Sequence, residues 1–361
     1  MTALERTVLA TAAAPLALAS GARLEHVEVA FEQWGTPDGE NTVVICHALT
    51  GGAHAAGEGG WWSSLVGPGR AIDTERFHVV CANLLGGCEG TTGPGASDPA
   101  TGAPYGLRFP LLAVGDLVEL HRRLLMHLGI ARPLAAVGGS LGGMQALEWS
   151  LAHPGELRGA AIIAASAALS AQNLALSAVA REAIMRDPGF HGGDYVAHGT
   201  RPDDGLAIAR MLGHITYLSD AGMQDRFGRT RTGELTLRGP SFEVEGYLRH
   251  QADRFLERFD ANTYLYLSRC MDDFDAFAEA GRAEAVAAAG TRHLVVSFDS
   301  DWRFSTAHSA AITAALTAAG AHAEHLDVPS SWGHDSFLLE LPEYHTAVAA
   351  FLDGIAREAS G

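Results

Sequence analysis

The sequence predicts an α/β protein: a doubly wound, mostly parallel sheet interrupted by an inserted helical cap. Three observations carry that reading. Short apolar runs recur at residues 42–46, 77–82, 134–137, 159–164, 293–298 and 325–328. They do not alternate in polarity, as expected of strands buried on both faces of a parallel sheet. Amphipathic helical stretches separate them, notably 111–128 and 144–152, the βαβ spacing of a doubly wound sheet. The regularity fails between about 166 and 290, where the chain reads as helix at 170–186, 205–218 and 241–259. A strand then resumes at 292, so residues 1–165 and 291–361 are read as the core and 166–290 as the cap.

In chain order, residues 8–19 are apolar and small, and Ala17-Leu18-Ala19 resembles a signal cleavage site. Glu5 and Arg6 leave no net positive charge ahead of that run, so it is read as a retained part of a cytoplasmic protein. Residues 27–31 alternate as an opening strand. The run 42–46 leads into His47-Ala48-Leu49-Thr50-Gly51, and the run 133–137 into Gly138-Gly139-Ser140-Leu141-Gly142-Gly143. The last helix, 344–357, follows Pro342.

The strand, G-x-S-x-G, helix succession carries chemistry. A sharp strand-to-helix turn holds its serine in a strained conformation, and the flanking glycines leave room for it. Ser140 is therefore the candidate nucleophile, with the Leu141 N–H free to stabilise an oxyanion. A second donor is expected from the turn after the strand ending at Cys46, where Leu49 fits. The base and its orienting acid should follow in the order acid, then His, each after a late strand. His334, in Ser331-Trp332-Gly333-His334-Asp335, takes the place of the base. Asp301 is the candidate acid, and Asp299 competes with it from nearer the strand.

Composition narrows the field. The 361 residues are 47% hydrophobic, ample for a core, and the net charge of −17 argues against a nucleic-acid partner. All 25 basic residues are arginine. That removes Schiff-base, P-loop and Ser-Lys chemistry, and leaves Arg, His or backbone N–H to meet any anion. The four cysteines form no C-x-x-C pair and read as free thiols. His47 and His54 lack a carboxylate or cysteine cluster, so no metal is expected. No apolar run reaches the roughly 18 residues a membrane span requires.

Several further segments resemble the homoserine O-acyltransferases of methionine biosynthesis, a family within the α/β-hydrolase superfamily. They are Val27 to Glu32, His47 to Gly51, Gly86 to Pro94, Gly139 to Leu147, Ser170 to Asn173, Ala209 to Tyr217 and Gly333 to Phe337. The resemblance covers nearly the whole chain. It implies Ser140 as nucleophile, His334 as base and Asp301 as acid, with Arg210 holding the homoserine carboxylate and Asp335 its ammonium. Tyr217, two helical turns beyond Arg210, is placed to point into the same site. Two residues depart from the family pattern: Arg303, where an apolar residue is expected, and Gly52, where a larger one is frequent.

The implied reaction is acyl transfer from acetyl-CoA to the γ-hydroxyl of L-homoserine through an acyl-serine, with no cofactor beyond that co-substrate. A homoserine O-succinyltransferase and an esterase with the same triad are the alternatives. The resemblance further suggests a homodimer joined through the helical insertion.

Overall fold

Eight strands built largely of Val, Ile and Ala assemble into one sheet in the computed structural model, which describes residues 4–237 and 239–359. They are β1 (Glu5–Ala10), β2 (Val27–Trp34), β3 (Thr42–Cys46), β4 (His78–Ala82), β5 (Ala135–Gly139), β6 (Gly159–Ile163), β7 (Arg292–Phe298) and β8 (His322–Val328). Their spatial order is β1-β2-β4-β3-β5-β6-β7-β8. β2 pairs antiparallel with β1 and β4, and every other neighbour is parallel. Every residue of β3, β4, β5 and β6 is buried, which is why those strands read as continuous apolar runs. β1 lacks that signal for the opposite reason: it is a mostly exposed edge strand that begins at the charged Glu5 and Arg6, and only its second half enters the small, apolar run 8–19.

Helices cover both faces. On one lie α1 (Val114–His127), α2 (Leu141–Ala152) and α9 (Thr306–Ala318), whose Leu117, Leu147 and Ile312 join the core there. On the other, α10 (Pro342–Ala359) packs Tyr344, Val348 and Leu352 beside Trp62 and Leu65. α1 starts later than periodicity suggests, because the Asp116 carboxylate accepts the Ala113 N–H at 2.8 Å and sets the first turn there. α2 starts earlier, at Leu141; Gly142 and Gly143 are poor helix formers and hide its first turn.

Between β6 and β7 the chain runs through α3 (Ala171–Met185), α4 (Asp203–Tyr217), α5 (Asp220–Phe227), α6 (Glu243–Leu256), α7 (Ala261–Asp273) and α8 (Arg282–Ala289). α5, α7 and α8 are additional to the three helices expected there. This segment has its own apolar cluster, with Ile184, Phe190, Leu206, Phe255 and Phe259 at its centre. A buried ion pair, Arg181 to Asp272 at 2.6 Å, ties α3 to α7.

Candidate active site

The turn at Ser140 is built by what its neighbours lack. Ser140 has φ 59° and ψ −123°, a conformation L-residues avoid. A Cβ at Gly138 would strike the backbone of Gly142, and one at Gly142 would strike the Cys46 carbonyl oxygen. Only glycine at both places lets β5, α2 and the end of β3 approach so closely. The Ser140 N–H donates to the Ile163 carbonyl at 2.9 Å and its own carbonyl accepts from Met144 at 3.1 Å, so the strained residue is held from both sides.

The loop after β3 is held just as firmly. His47 is buried, and desolvation pushes its pKa down to about 4, leaving the ring neutral. Its Nδ1 donates to the Ala48 carbonyl at 2.7 Å while Nε2 accepts the Leu84 N–H at 3.2 Å. Gln145 Nε2 donates at 3.1 Å to both the His47 and the Leu141 carbonyls, tying the Leu49 loop to the start of α2. The Leu141 N–H, at the first residue of that helix, has no intrahelical acceptor. His54, the other half of the His47–His54 pair, bonds Glu32 at 2.9 Å instead. Among the described residues no cluster of His, Cys, Asp or Glu is placed to hold a metal ion.

The loops after β7 and β8 bring Asp301 and His334 together. His334 Nδ1 donates to Asp301 Oδ2 at 2.7 Å, with the two side chains 4% and 0% exposed. Asp301 Oδ1 accepts the N–H groups of Arg303 and Phe304, both at 2.9 Å, which fixes the carboxylate. Asp299 is exposed and accepts the Ser330 N–H at 2.9 Å, so it joins the two loops rather than contacting the histidine. Gly333 (φ +66°) allows the approach of the histidine loop to α4: a Cβ there would lie 2.7 Å from the Tyr217 carbonyl.

Ser140, His334 and Leu49 line one cavity of about 260 Å³. The Ser140 hydroxyl makes no hydrogen bond among the described residues; such pairs commonly tighten only with substrate bound. Further lining comes from the helical insertion and from the residue after the histidine: Arg210, Tyr217 and Asp335. Arg210 stacks over Phe255 (4.6 Å to the ring centre) and reaches Thr50 Oγ1 at 3.5 Å. Its buried Nε has no partner among the described residues. A guanidinium fixed by stacking yet short of acceptors is prepared for an incoming carboxylate. Desolvation pushes the Asp335 carboxyl up to about 6, against the opposing pull of His334 and Arg210. His214 lines the cavity too, and burial, reinforced by Arg210 and Arg226, pushes its pKa down to about 3. Arg210 and Asp335 therefore set one charge of each sign in the cavity, beside Arg258, whose charge Glu89 meets at 3.0 Å. The Tyr217 ring lies 5.8 Å from both the His334 ring and the Arg210 guanidinium.

Phe337, at the end of the Gly333 to Phe337 segment, also lines the cavity, as do Trp61 and Arg258, which nothing in their local sequence singles out. The two departures from pattern have structural settings. A Cβ at Gly52 would collide with the Glu89 carboxylate, which pairs with Arg258 at 3.0 Å; Arg258 in turn donates to the Thr50 carbonyl at 2.9 Å. Arg303 donates from Nη1 to Thr216 Oγ1 at 2.9 Å, and its guanidinium lies 5.8 Å from the Tyr217 ring centre.

Residues 41–341 match the family model described as alpha/beta hydrolase fold. A homoserine O-succinyltransferase of Nocardioides sp. is 53% identical over 96% of this chain and 97% of its own length. A homoserine O-acetyltransferase of Rhodospirillum rubrum is 47% identical over 98% and 94%. Among solved structures, homoserine O-acetyltransferase from Bacillus anthracis superposes with TM-score 0.88 at 25% identity, covering 98% of each chain. Esterase E22 superposes equally well, TM-score 0.88 at 27% identity, covering 98% of this chain and all of its own. The backbone alone thus does not separate transfer from hydrolysis, whereas the two full-length relatives carry transferase names.

Proposed function

Because the chain belongs to the homoserine O-acyltransferases of the α/β-hydrolase fold, we propose that Ser140 carries the acyl group from acyl-CoA to L-homoserine. The observation that carries this assignment is the buried His334–Asp301 pair at 2.7 Å, with His334 lining one cavity together with Ser140, Arg210 and Asp335.

His334 takes the Ser140 proton as Oγ attacks the thioester carbonyl, and the N–H groups of Leu49 and Leu141 hold the oxyanion. The C–S bond breaks, and CoA leaves with the proton that His334 returns. The γ-hydroxyl of homoserine then gives its proton to His334 and attacks the acyl-serine; Ser140 leaves and recovers its proton. The general base contributes roughly 10²–10⁴-fold and each oxyanion donor roughly 10²–10³-fold. Water competes at the second step. Homoserine wins if its carboxylate rests on Arg210 and its ammonium on Asp335, which aims the hydroxyl and raises its effective concentration.

Both donor names occur among the relatives. Acetyl-CoA is the donor expected from sequence, and one observation favours succinyl-CoA. A succinyl group ends in a carboxylate that requires a cation, and Arg303, held by Thr216 beside Tyr217, supplies a fixed one. The test is CoA release by the purified protein with each donor, with and without homoserine, and the product identified by mass. Homoserine-dependent release supports transfer, and the donor giving the higher kcat/KM settles the acyl group. Release indifferent to homoserine would return the protein to the esterases.

The four cysteines are free, three of them buried, which suits a reducing, cytoplasmic setting. Among the described residues no helix is long and apolar enough to cross a membrane. Val179, Met185, Ile208 and Ile215 of α3 and α4 are exposed, which favours a homodimer through the insertion; sedimentation as a monomer would refute it.

A further inference from the structure

Beside the catalytic cavity lies a second recess of about 360 Å³, lined by Arg210, His250, Arg254, Phe255, Glu257 and Arg258. Arg210 and Arg258 line both spaces, and both guanidiniums lie over the Phe255 ring, at 4.6 and 5.7 Å from its centre. The recess and the cavity are therefore adjoining chambers with a shared cationic partition. His250, Arg254 and Arg258 fall four residues apart along α6 and just past its end, so they share one face. The nearby acids leave charge to spare. Glu257 stands 3.9 Å from Arg254, longer than a hydrogen bond, and Glu89 engages Arg258 alone. On a chain of net charge −17, three guanidiniums against the one lining carboxylate of Glu257 are a local inversion of sign.

We propose that this recess is the phosphate-binding mouth for the nucleotide end of the CoA donor, with Arg254 and His250 as its outer contacts. The inference rests on the acyltransferase reading above. Long-range steering cannot draw a polyanion to a polyanion, so affinity for the donor must come from charge placed at short range. The thioester has to reach Ser140, and a cavity of about 260 Å³ is too small to take the nucleotide phosphates as well. A recess that shares its wall with that cavity meets both demands. Arg258 is oriented by the Thr50 carbonyl and Glu89, so it also couples the mouth to the loop that carries Leu49.

The test uses the full chain and two probes, CoA and pantetheine, the second lacking every phosphate. Equilibrium titration is run on the wild type, Arg254→Glu and His250→Gln, residues that do not line the catalytic cavity. Arg254→Glu should weaken CoA about tenfold or more and His250→Gln less, as expected for losing a charge-assisted phosphate contact. Pantetheine affinity should be unchanged, and the salt dependence of CoA binding should shrink in both variants. Equal effects on the two probes, or none on CoA, would overturn the proposal. Homoserine-dependent CoA release by the wild type is scored separately: CoA binding that depends on Arg254 without such release would sink the transferase reading and leave the mouth standing.

Discussion

The sheet edge that carries Ser140, Asp301 and His334 and the helical insertion that carries Arg210 solve different problems. At the sheet edge, position comes from backbone: a positive-φ serine, glycines that admit no Cβ, and one Asp301 oxygen filled by two main-chain N–H groups. In the insertion, position comes from side-chain stacking and long-range ion pairs, such as Arg210 on Phe255 and Arg181 on Asp272. The first arrangement is held by main-chain geometry, the second by side chains that reach the cavity from outside the sheet. The equally close superposition on an esterase and on a homoserine O-acetyltransferase fits this split, since one backbone can carry either reaction and the residues around the cavity must separate them.

The sharpest way to break that contrast is at the turn. Ser140→Ala should lower acyl transfer by about 10⁶-fold and Asp301→Asn by about 10⁴-fold, with thermal melting little changed. Retained acyl-enzyme by intact-protein mass in the Ser140 variant would overturn the division of labour. Next in size, Arg210→Ala should raise the homoserine KM about tenfold to a hundredfold while thioester hydrolysis persists, as expected for removing one charge-assisted contact. A parallel loss of hydrolysis would place Arg210 in the chemistry instead.

Arg303→Leu sharpens the contrast on the donor side. The ratio of kcat/KM for succinyl-CoA over acetyl-CoA should fall about tenfold; an unchanged ratio would remove Arg303 from donor selection. The smallest effect concerns pH. Asp335, raised to about 6 chiefly by desolvation, is charged above that value and neutral below it. Homoserine binding to Ser140→Ala should therefore weaken roughly fourfold between about pH 7.5 and about pH 5.5. Asp335→Asn should bind weakly at both values and flatten the profile.

Much of this was legible along the chain because its causes are local. The nucleophile turn is a six-residue pattern between a strand and a helix, and Asp301 and His334 each follow a strand by a short loop. The buried strands announce themselves because both faces are apolar. β1 was illegible since an exposed edge strand has no such constraint, and α2's first turn was masked by the glycines its close packing requires.

The order of the chemistry is written along the chain: a serine on a strained turn, an acid and a histidine after late strands, and arginine as the sole fixed cation. Only the tertiary structure separated Asp301 from Asp299, put Arg303 beside Tyr217 and set His250, Arg254 and Arg258 around one recess joined to the cavity. The physical reason is range. A turn is specified by neighbours within a few residues, whereas a cavity wall is assembled from residues 49, 140, 210 and 335, which meet only when the insertion packs over the sheet.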